Sequence, residues 1–218
     1  MKVLGLDQSM SNFGWCLLLD HVDLFKVTSL EKGRFRYQTK DKADLDFVAK
    51  YSRLEKLLME LIEEKKPDVI GIEAPVPNKT QSAGMYALYI QCMKILRNNK
   101  LDTLIVDNKE TKSRVAKYLN LPKKTKVDKP ELKLAAKQHS GVDGWTGDEA
   151  DAYWIASVAM TFWKIQRGLI DKEELNKSDF AYFAEVSLYT RGPNKGTPKR
   201  VGLLHRPKDR YFTWSSGE

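Results

Sequence analysis

Two short apolar segments that each end in an acidic residue constrain the fold most. They are KVLGLD at 2–7 and DVIGIE at 68–73. Between them, residues 47–65 repeat apolar side chains at intervals of three and four, which predicts an amphipathic helix. A strand, a crossover helix and a second strand favour parallel pairing, and the carboxyl ends of parallel strands lie at the same edge of a sheet. We therefore expect Asp7 and Glu73 to face one crevice.

The other segments complete an α/β pattern. Residues 14–20 and 33–38 are expected to extend the first strand into an antiparallel meander. Helices are predicted at 83–97, 110–120, 129–139 and 147–166, and one more buried strand at 102–107. This order predicts a mixed five-stranded sheet flanked by helices, in which an antiparallel meander is followed by parallel strands.

The regular spacing of apolar residues that predicts strands and helices weakens after about residue 168. We predict a domain over 1–167 and a basic C-terminal extension over 168–218. Within the extension, FAYFAEVSLY is expected to contain a strand or two. The stretch RGPNKGTPKRVGLLHRPKDRY carries seven Lys and Arg residues against a single acid, which is typical of a basic arm.

Composition favours a non-membrane protein with a polyanionic partner. The 218 residues carry a net charge of +8, with a pI near 9.3. The sequence contains no apolar run near the ~18 residues of a membrane span, and its start is too short in apolar residues for a signal peptide. Cys16 and Cys92 lie far apart in apolar contexts and are predicted to be reduced core thiols. These features indicate a cytoplasmic protein without a membrane partner.

Two further acids lie at the start of the last predicted helix. Asp148 and Asp151 are three residues apart in its first turn, so one face carries both. Thr146 followed by Glu149 is typical of a capping box, which assigns Glu149 to the helix start. Glu149 is nevertheless the alternative to Asp148 as a ligand.

The four acids Asp7, Glu73, Asp148 and Asp151 predict a divalent-metal site. Carboxylates are costly to crowd together unless cations neutralise them. Oxygen-rich ligands suit Mg²⁺ or Mn²⁺. Two such ions about 3.5–4 Å apart can activate a water and stabilise the leaving oxygen of a phosphodiester. Taken singly, Asp7 could begin a turn and Asp148 could interact with the helix dipole. These explanations do not account for all four acids together.

Basic residues surround the segments that carry these acids. Residues 109–137 hold ten Lys and Arg side chains against three acids, as expected for a surface that grips a phosphate backbone. Asn78, Lys79, Thr80 and Gln81 follow Glu73 and are candidates to reach a phosphate at a helix start. The predicted nucleic-acid contacts are Asn78, Lys79, Lys112, Lys117, Lys123, Lys124, Lys126 and Lys129. His139 is a further residue that could approach the site.

Three motifs resemble the RuvC-type Holliday junction resolvases of the ribonuclease H-like superfamily. They are GLDQSMSNFGW, DVIGIEAP and DEADAYWIA, and the resemblance covers residues 1 to about 166. It implies a ribonuclease H-like fold with Asp7, Glu73, Asp148 and Asp151 as catalytic ligands of two Mg²⁺ or Mn²⁺ ions. Lys112 and Lys129 are the positions that resemble two family lysines near the scissile phosphate, which implies a catalytic role for both. The stretch APVPNK lacks the aromatic residue that the family usually places after the second acid.

The resemblance implies a homodimeric endonuclease that resolves four-way or other branched DNA, with a role in DNA recombination and repair. The expected products are 5′-phosphate and 3′-hydroxyl ends. The departures from the family are consistent with a divergent viral member, which would act in the host cytoplasm. Two other functions fit parts of the sequence: a catalytically silent DNA-binding or scaffolding subunit with the same fold, and an actin-like or sugar-kinase-like phosphotransferase.

Overall fold

The computed structural model describes residues 1–9, 12–20, 27–36, 47–75, 83–122, 125–206 and 211–212. The first half contains β1 (Lys2–Gln8), β2 (Asn12–Asp20), β3 (Val27–Arg36), α1 (Phe47–Lys65), β4 (Val69–Glu73), α2 (Ala83–Asn98) and β5 (Asp102–Val106). The second half contains α3 (Asn108–Tyr118), α4 (Lys129–Ser140), α5 (Gly147–Gln166), α6 (Lys177–Phe183), β6 (Val186–Leu188), β7 (Pro198–Val201) and β8 (Tyr211–Phe212).

The main sheet has the strand order β3-β2-β1-β4-β5-β8. β1, β2 and β3 pair antiparallel, while β1, β4 and β5 pair parallel. The predicted mixed five-stranded sheet is therefore confirmed. Its register matters for the acids: Leu6 pairs with Ile72, so Asp7 and Glu73 are the next residues on neighbouring strands.

Helices cover both faces of the sheet. Leu4 and Leu6 of β1 belong to a core that packs against α1 and α2, whereas Val3 belongs to a second core that contains much of α5. The alternation follows from the two-residue period of a strand, which turns successive side chains to opposite faces. Since Val3 and Asp7 are four residues apart, Asp7 faces the side on which α5 lies.

Three glycines allow α5 to lie directly on the sheet. A Cβ added to Gly5 would lie 2.0 Å from the carbonyl oxygen of Ala152, and one on Gly14 would lie 2.4 Å from that of Asp148. At Gly71 the nearest atoms would be the Cβ of Ala159 and the carbonyl oxygen of Ile155, each 2.9 Å away. No side chain fits in these gaps. The first turn of α5 is thus held against the carboxyl end of β1.

One of the described elements after residue 168 differs from the prediction. Phe180–Phe183 was expected within a strand, but it forms the end of α6. The helix forms because the side chain of Asn176 caps its start and accepts hydrogen bonds from the backbone N–H of Ser178 and Asp179. Only Val186–Leu188 of the predicted strand segment is a strand, and it pairs with β7.

Other parts of this region pack onto the domain before it. Phe183 and Leu203 are buried in the same core as α5. Arg206 pairs with Glu110 of α3 through both Nη atoms, one of them 2.8 Å from Oε2. The two-residue strand β8 adds a sixth member beside β5. The division of the chain at residue 168 remains a prediction.

Cys16 and Cys92 are buried and unpaired, as predicted. Across the ranges that the structure covers, we find no helix with the length and apolar character needed to cross a membrane.

Candidate functional site

The four predicted acids come from three distant segments and meet at the carboxyl ends of β1 and β4. Asp7 is buried, with 8% of its surface exposed. It shares a hydrogen bond with Glu73, and the charges of Asp148 and Asp151 also act on it. Parallel pairing of β1 with β4 and the close approach of α5 bring these carboxyl groups together.

Burial and mutual repulsion change the proton affinity of this cluster. Burial, and next the charge of Glu73, raise the pKa of Asp7 well above its usual value. Burial also raises the pKa of Glu73, although hydrogen bonds from Asn108 and Asp7 oppose the change. Burial and then the charge of Glu73 raise the pKa of Asp151 to about 7. The cluster therefore holds protons more tightly than separate carboxyl groups would.

Glu149 lies outside this cluster, although it follows Asp148 directly. Its Oε2 accepts hydrogen bonds from the backbone N–H of Thr146 at 2.9 Å and from Nζ of Lys32 at 3.2 Å. Burial opposes its charge, but these bonds outweigh that effect and lower the pKa of Glu149. The predicted capping box is confirmed, and Glu149 is already engaged away from the other acids.

The two lysines assigned by the motif resemblance both lie at the cluster. Nζ of Lys129 is 2.6 Å from Oδ1 of Asp148, and the carbon stem of Lys129 lies over Gly147. Lys112 is close enough for its charge to lower the pKa of Glu73 and Asp151. The site thus combines four acids with two cations at its edge. The catalytic roles of all six residues remain predictions.

The other predicted nucleic-acid contacts lie elsewhere or outside the described residues. Lys117 lies near Arg200 and Asp179, and Lys126 pairs with Asp128 at 2.9 Å on the surface. Four of the predicted contacts fall outside the described residues: Asn78, Lys79, Lys123 and Lys124. So do Thr80 and Gln81.

His139 points into a different part of the molecule. Its Nδ1 is 2.5 Å from the hydroxyl oxygen of Tyr153, and its ring contacts those of Tyr118 and Trp154.

Two amides complete the site and were missed in the sequence. The side-chain amide of Asn108 donates to Oε1 of Glu73. Nε2 of Gln8 donates to the backbone oxygen of Glu73 at 2.7 Å, which fixes the end of β4 next to β1. Asn108 lies just after β5, in the same way that Asp7 lies at the end of the apolar run of β1. Ligands gather at the carboxyl ends of parallel strands, and this rule could have identified Asn108 from the sequence.

The donor chemistry of the four acids fits Mg²⁺ or Mn²⁺, which prefer carboxylate oxygens. The side chains are nonetheless engaged with each other: Glu73 with Asp7 and Asn108, and Asp148 with Lys129. In the described parts of the chain, no three His, Cys, Asp or Glu side chains are grouped so that they could hold one ion as they stand. Metal binding would require Asp148 and Glu73 to change partners.

Comparisons with known proteins identify the fold. No protein-family model and no curated protein matches the sequence. Among solved structures, the chain is similar to RuvC of Thermus thermophilus, with a TM-score of 0.57 and 15% identity over 77% of this chain and 96% of RuvC. The structure of T. thermophilus RuvC in complex with a Holliday junction substrate gives a TM-score of 0.56, with the same identity and coverage. The predicted ribonuclease H-like fold, of the kind found in RuvC, is confirmed.

Proposed function

We propose that this protein is a divalent-metal-dependent endonuclease that cuts branched DNA, with four-way junctions as its main substrate. The observation that carries the proposal is the meeting of Asp7, Glu73, Asp148 and Asp151 from three distant segments in one partly buried cluster. Buried like charges destabilise a fold, and they are typical of functional sites. The fold shared with RuvC, which was solved bound to a Holliday junction, supports the choice of substrate.

Each residue has a role that its chemistry supports. Asp7, Glu73, Asp148 and Asp151 would hold two Mg²⁺ or Mn²⁺ ions. Such ions, when bound, supply an activated water and charge stabilisation for phosphodiester hydrolysis, which leaves 5′-phosphate and 3′-hydroxyl ends. Asn108 orients the carboxylate of Glu73.

Lys112 and Lys129 supply positive charge beside the acids. An ammonium group at this position can stabilise the negative charge that develops on a phosphate during attack. Because Lys129 reaches Asp148 in this arrangement, it can exchange that carboxylate for a phosphate oxygen when DNA binds.

A homodimer is part of the proposal, because cutting two strands of one junction requires two active sites. Mass photometry with and without junction DNA would measure the oligomeric state.

The β6–β7 hairpin is a second element suited to DNA. Arg191, Lys195, Lys199 and Arg200 are exposed on it, and residues 186–201 contain no acid. Exposed cations bind phosphates chiefly by releasing counterions, so their contribution depends on salt. We include this hairpin in the DNA-binding surface.

Replacing Arg191, Lys195 and Lys199 together by Gln is expected to weaken junction binding and its dependence on salt. The slope of log K against log[salt] is negative, and each lost phosphate contact makes it less steep by about 0.9. The slope of the triple variant should therefore be less steep by about 2–3. Fluorescence anisotropy with a labelled junction between about 50 and 200 mM salt measures it.

The matched control replaces Lys56, Lys94 and Arg97 by Gln. These exposed cations lie on α1 and α2, across the sheet from α5. An equal loss of slope in both triple variants would show that net charge, rather than the hairpin, governs binding.

The proposed function is tested by incubating the protein with labelled four-way junction, flap, duplex and single-stranded DNA, in Mg²⁺, Mn²⁺ or EDTA. We expect metal-dependent cuts in the four-way junction and much slower cutting of duplex. Tight binding of the junction without any cutting in either metal would identify a scaffolding subunit and reject the nuclease. ATP turnover would identify a phosphotransferase.

A further inference from the structure

A cavity separate from the acidic cluster lies between α3, α4, α5 and the start of α6. Its volume is about 320 Å³. Its lining includes Arg114 and Lys117 from α3, His139 from α4, Trp154 from α5, and Asn176 and Asp179 at α6. None of the four clustered acids lines it, so the nuclease proposal assigns no role to this cavity.

Two buried hydrogen-bond donors on side chains of the lining have no acceptor among the residues that the structure describes. They are Nη1 of Arg114 and Nε1 of Trp154, whose side chain is only 1% exposed. The second terminal nitrogen of Arg114 lies 3.5 Å from Oδ2 of Asp179, at the limit of a hydrogen bond. Buried polar atoms are nearly always paired, and both of these groups can only donate. A ligand that suits them must bring acceptor oxygens.

The charges around the cavity favour an anion. Partial burial of its stem, and next the nearby charge of Arg200, lower the pKa of the largely exposed Lys117, while Asp179 and Glu185 act in the opposite direction. The lining itself holds two cations, Arg114 and Lys117, against one acid, Asp179. His139 adds no charge near neutral pH, because burial and then Arg114 lower its pKa to about 4.

The geometry points to a phosphate group as the ligand of this cavity. We infer that small shifts of the Arg114 and Trp154 side chains, whose Nη1 and Nε1 atoms are covered in this structure, let both groups donate hydrogen bonds to its oxygens, and that Lys117 supplies the balancing charge. A guanidinium presents its donors in a planar fork that matches phosphate, and a phosphate offers enough acceptors for both orphan donors. The rings of Tyr118 and Trp154, with centroids 5.7 Å apart, form an apolar wall beside this position. The phosphate can belong to a nucleic-acid backbone or to a small molecule.

The indole N–H of Trp154 gives a direct readout. The protein is labelled with ¹⁵N and titrated with sodium phosphate, and then with sodium chloride at equal ionic strength. Trp154→Phe, or backbone connectivities, assign the resonance among the five tryptophans. Phosphate should shift the resonance saturably and chloride should not.

Two variants test the named residues. Arg114→Gln and Lys117→Gln should each weaken phosphate binding by about 10-fold, the usual effect of losing a hydrogen bond to a charged group. Lys117 is exposed on α3, so its variant keeps the test valid if Arg114→Gln fails to fold. Lys133→Gln, at an exposed lysine on α4, is the matched control and should leave binding unchanged.

The source of the phosphate is decided by two further titrations. An unphosphorylated single-stranded oligonucleotide that shifts the Trp154 resonance identifies a backbone phosphate. A shift with a deoxynucleoside monophosphate but not with the oligonucleotide identifies a small ligand. A resonance that responds equally to chloride and phosphate, or phosphate binding that neither variant weakens, overturns the inference. Asp7→Asn should leave the shift intact, so this result is independent of the nuclease proposal.

Discussion

Asp7→Asn is expected to make the protein more stable in the absence of divalent metal while removing its cleavage activity. Burial and the charge of Glu73 disfavour the ionised form of Asp7, and a tenfold change in proton affinity corresponds to about 1.4 kcal/mol. An asparagine keeps the shape and can donate to Glu73, as the protonated acid does. We expect a gain of at least about 1 kcal/mol in the free energy of unfolding, or about 2–4 °C in the melting temperature.

The pH dependence of this gain has a definite sign. A carboxyl group whose folded pKa is raised binds its proton more tightly in the folded state, so its contribution to stability falls as the pH rises above its unfolded pKa of about 4. The advantage of Asp7→Asn should therefore be larger at pH 7 than at pH 4. Calorimetry in EDTA at both pH values measures it. Asp143→Asn, at an exposed acid, is the control and should stay within about 0.5 kcal/mol.

Cleavage by the same variant should fall by at least about 100-fold, the effect of losing one strong electrostatic contribution to catalysis. Single-turnover cutting of a labelled four-way junction in Mn²⁺ measures this. If Asp7→Asn is stabilised but still cuts at the wild-type rate, Asp7 is a buried carboxyl group that takes no part in the reaction. Gain of stability with loss of activity is the pattern expected of a strained functional site.

Alanine at Gly5, Gly14 and Gly71 is expected to destabilise the protein in a graded order. The new Cβ would lie 2.0, 2.4 and 2.9 Å from the nearest backbone atom of α5, so the overlap is largest at Gly5 and smallest at Gly71. Gly5→Ala should cost at least about 3 kcal/mol, the upper end of the usual cost of overpacking, and Gly71→Ala the least. The corresponding fall in melting temperature for Gly5→Ala is about 6–12 °C.

Gly14→Ala carries an additional expectation for activity. Its Cβ would press on the backbone of Asp148, so the turn with Asp148 and Asp151 should move away from Asp7. Junction cleavage should then fall more than it does in Gly71→Ala, at a temperature where both variants are folded. Equal activity in these two variants would show that the position of this turn does not limit the reaction.

Much of the fold was predictable because the apolar spacing and the capping residues of each segment favour the element that the segment forms. The apolar runs that end in Asp7 and Glu73 imply parallel strands, and the observed register places the two acids next to each other. The capping box at Thr146 marks the start of α5 correctly. The placement of Asp148 and Asp151 against Asp7 also depends on Gly5 and Gly14, whose contacts are not local.

Other features depend on tertiary contacts that sequence patterns do not contain. The strand prediction failed at Phe180–Phe183 because the Asn176 cap starts a helix that alternating aromatics do not suggest. The pairing of Arg206 with Glu110 joins residues 96 positions apart. The cavity around Arg114 and Trp154 forms only where four helices meet, which local sequence patterns do not show. From the sequence, Lys117 was therefore only one of many lysines.

A residue-resolved Mn²⁺ titration by NMR shows directly whether Asp7, Glu73, Asp148 and Asp151 bind metal. Bound Mn²⁺ broadens nearby resonances even when only a small fraction of the protein is occupied. We expect the side-chain amide of Asn108 and the backbone amides of Asp7, Glu73 and Asp151 to broaden first, and Asp7→Asn to prevent this. Broadening that begins at other acids, such as Glu63 and Glu64 of α1, or that is unchanged in Asp7→Asn, would contradict the claim that these carboxylates form a metal site.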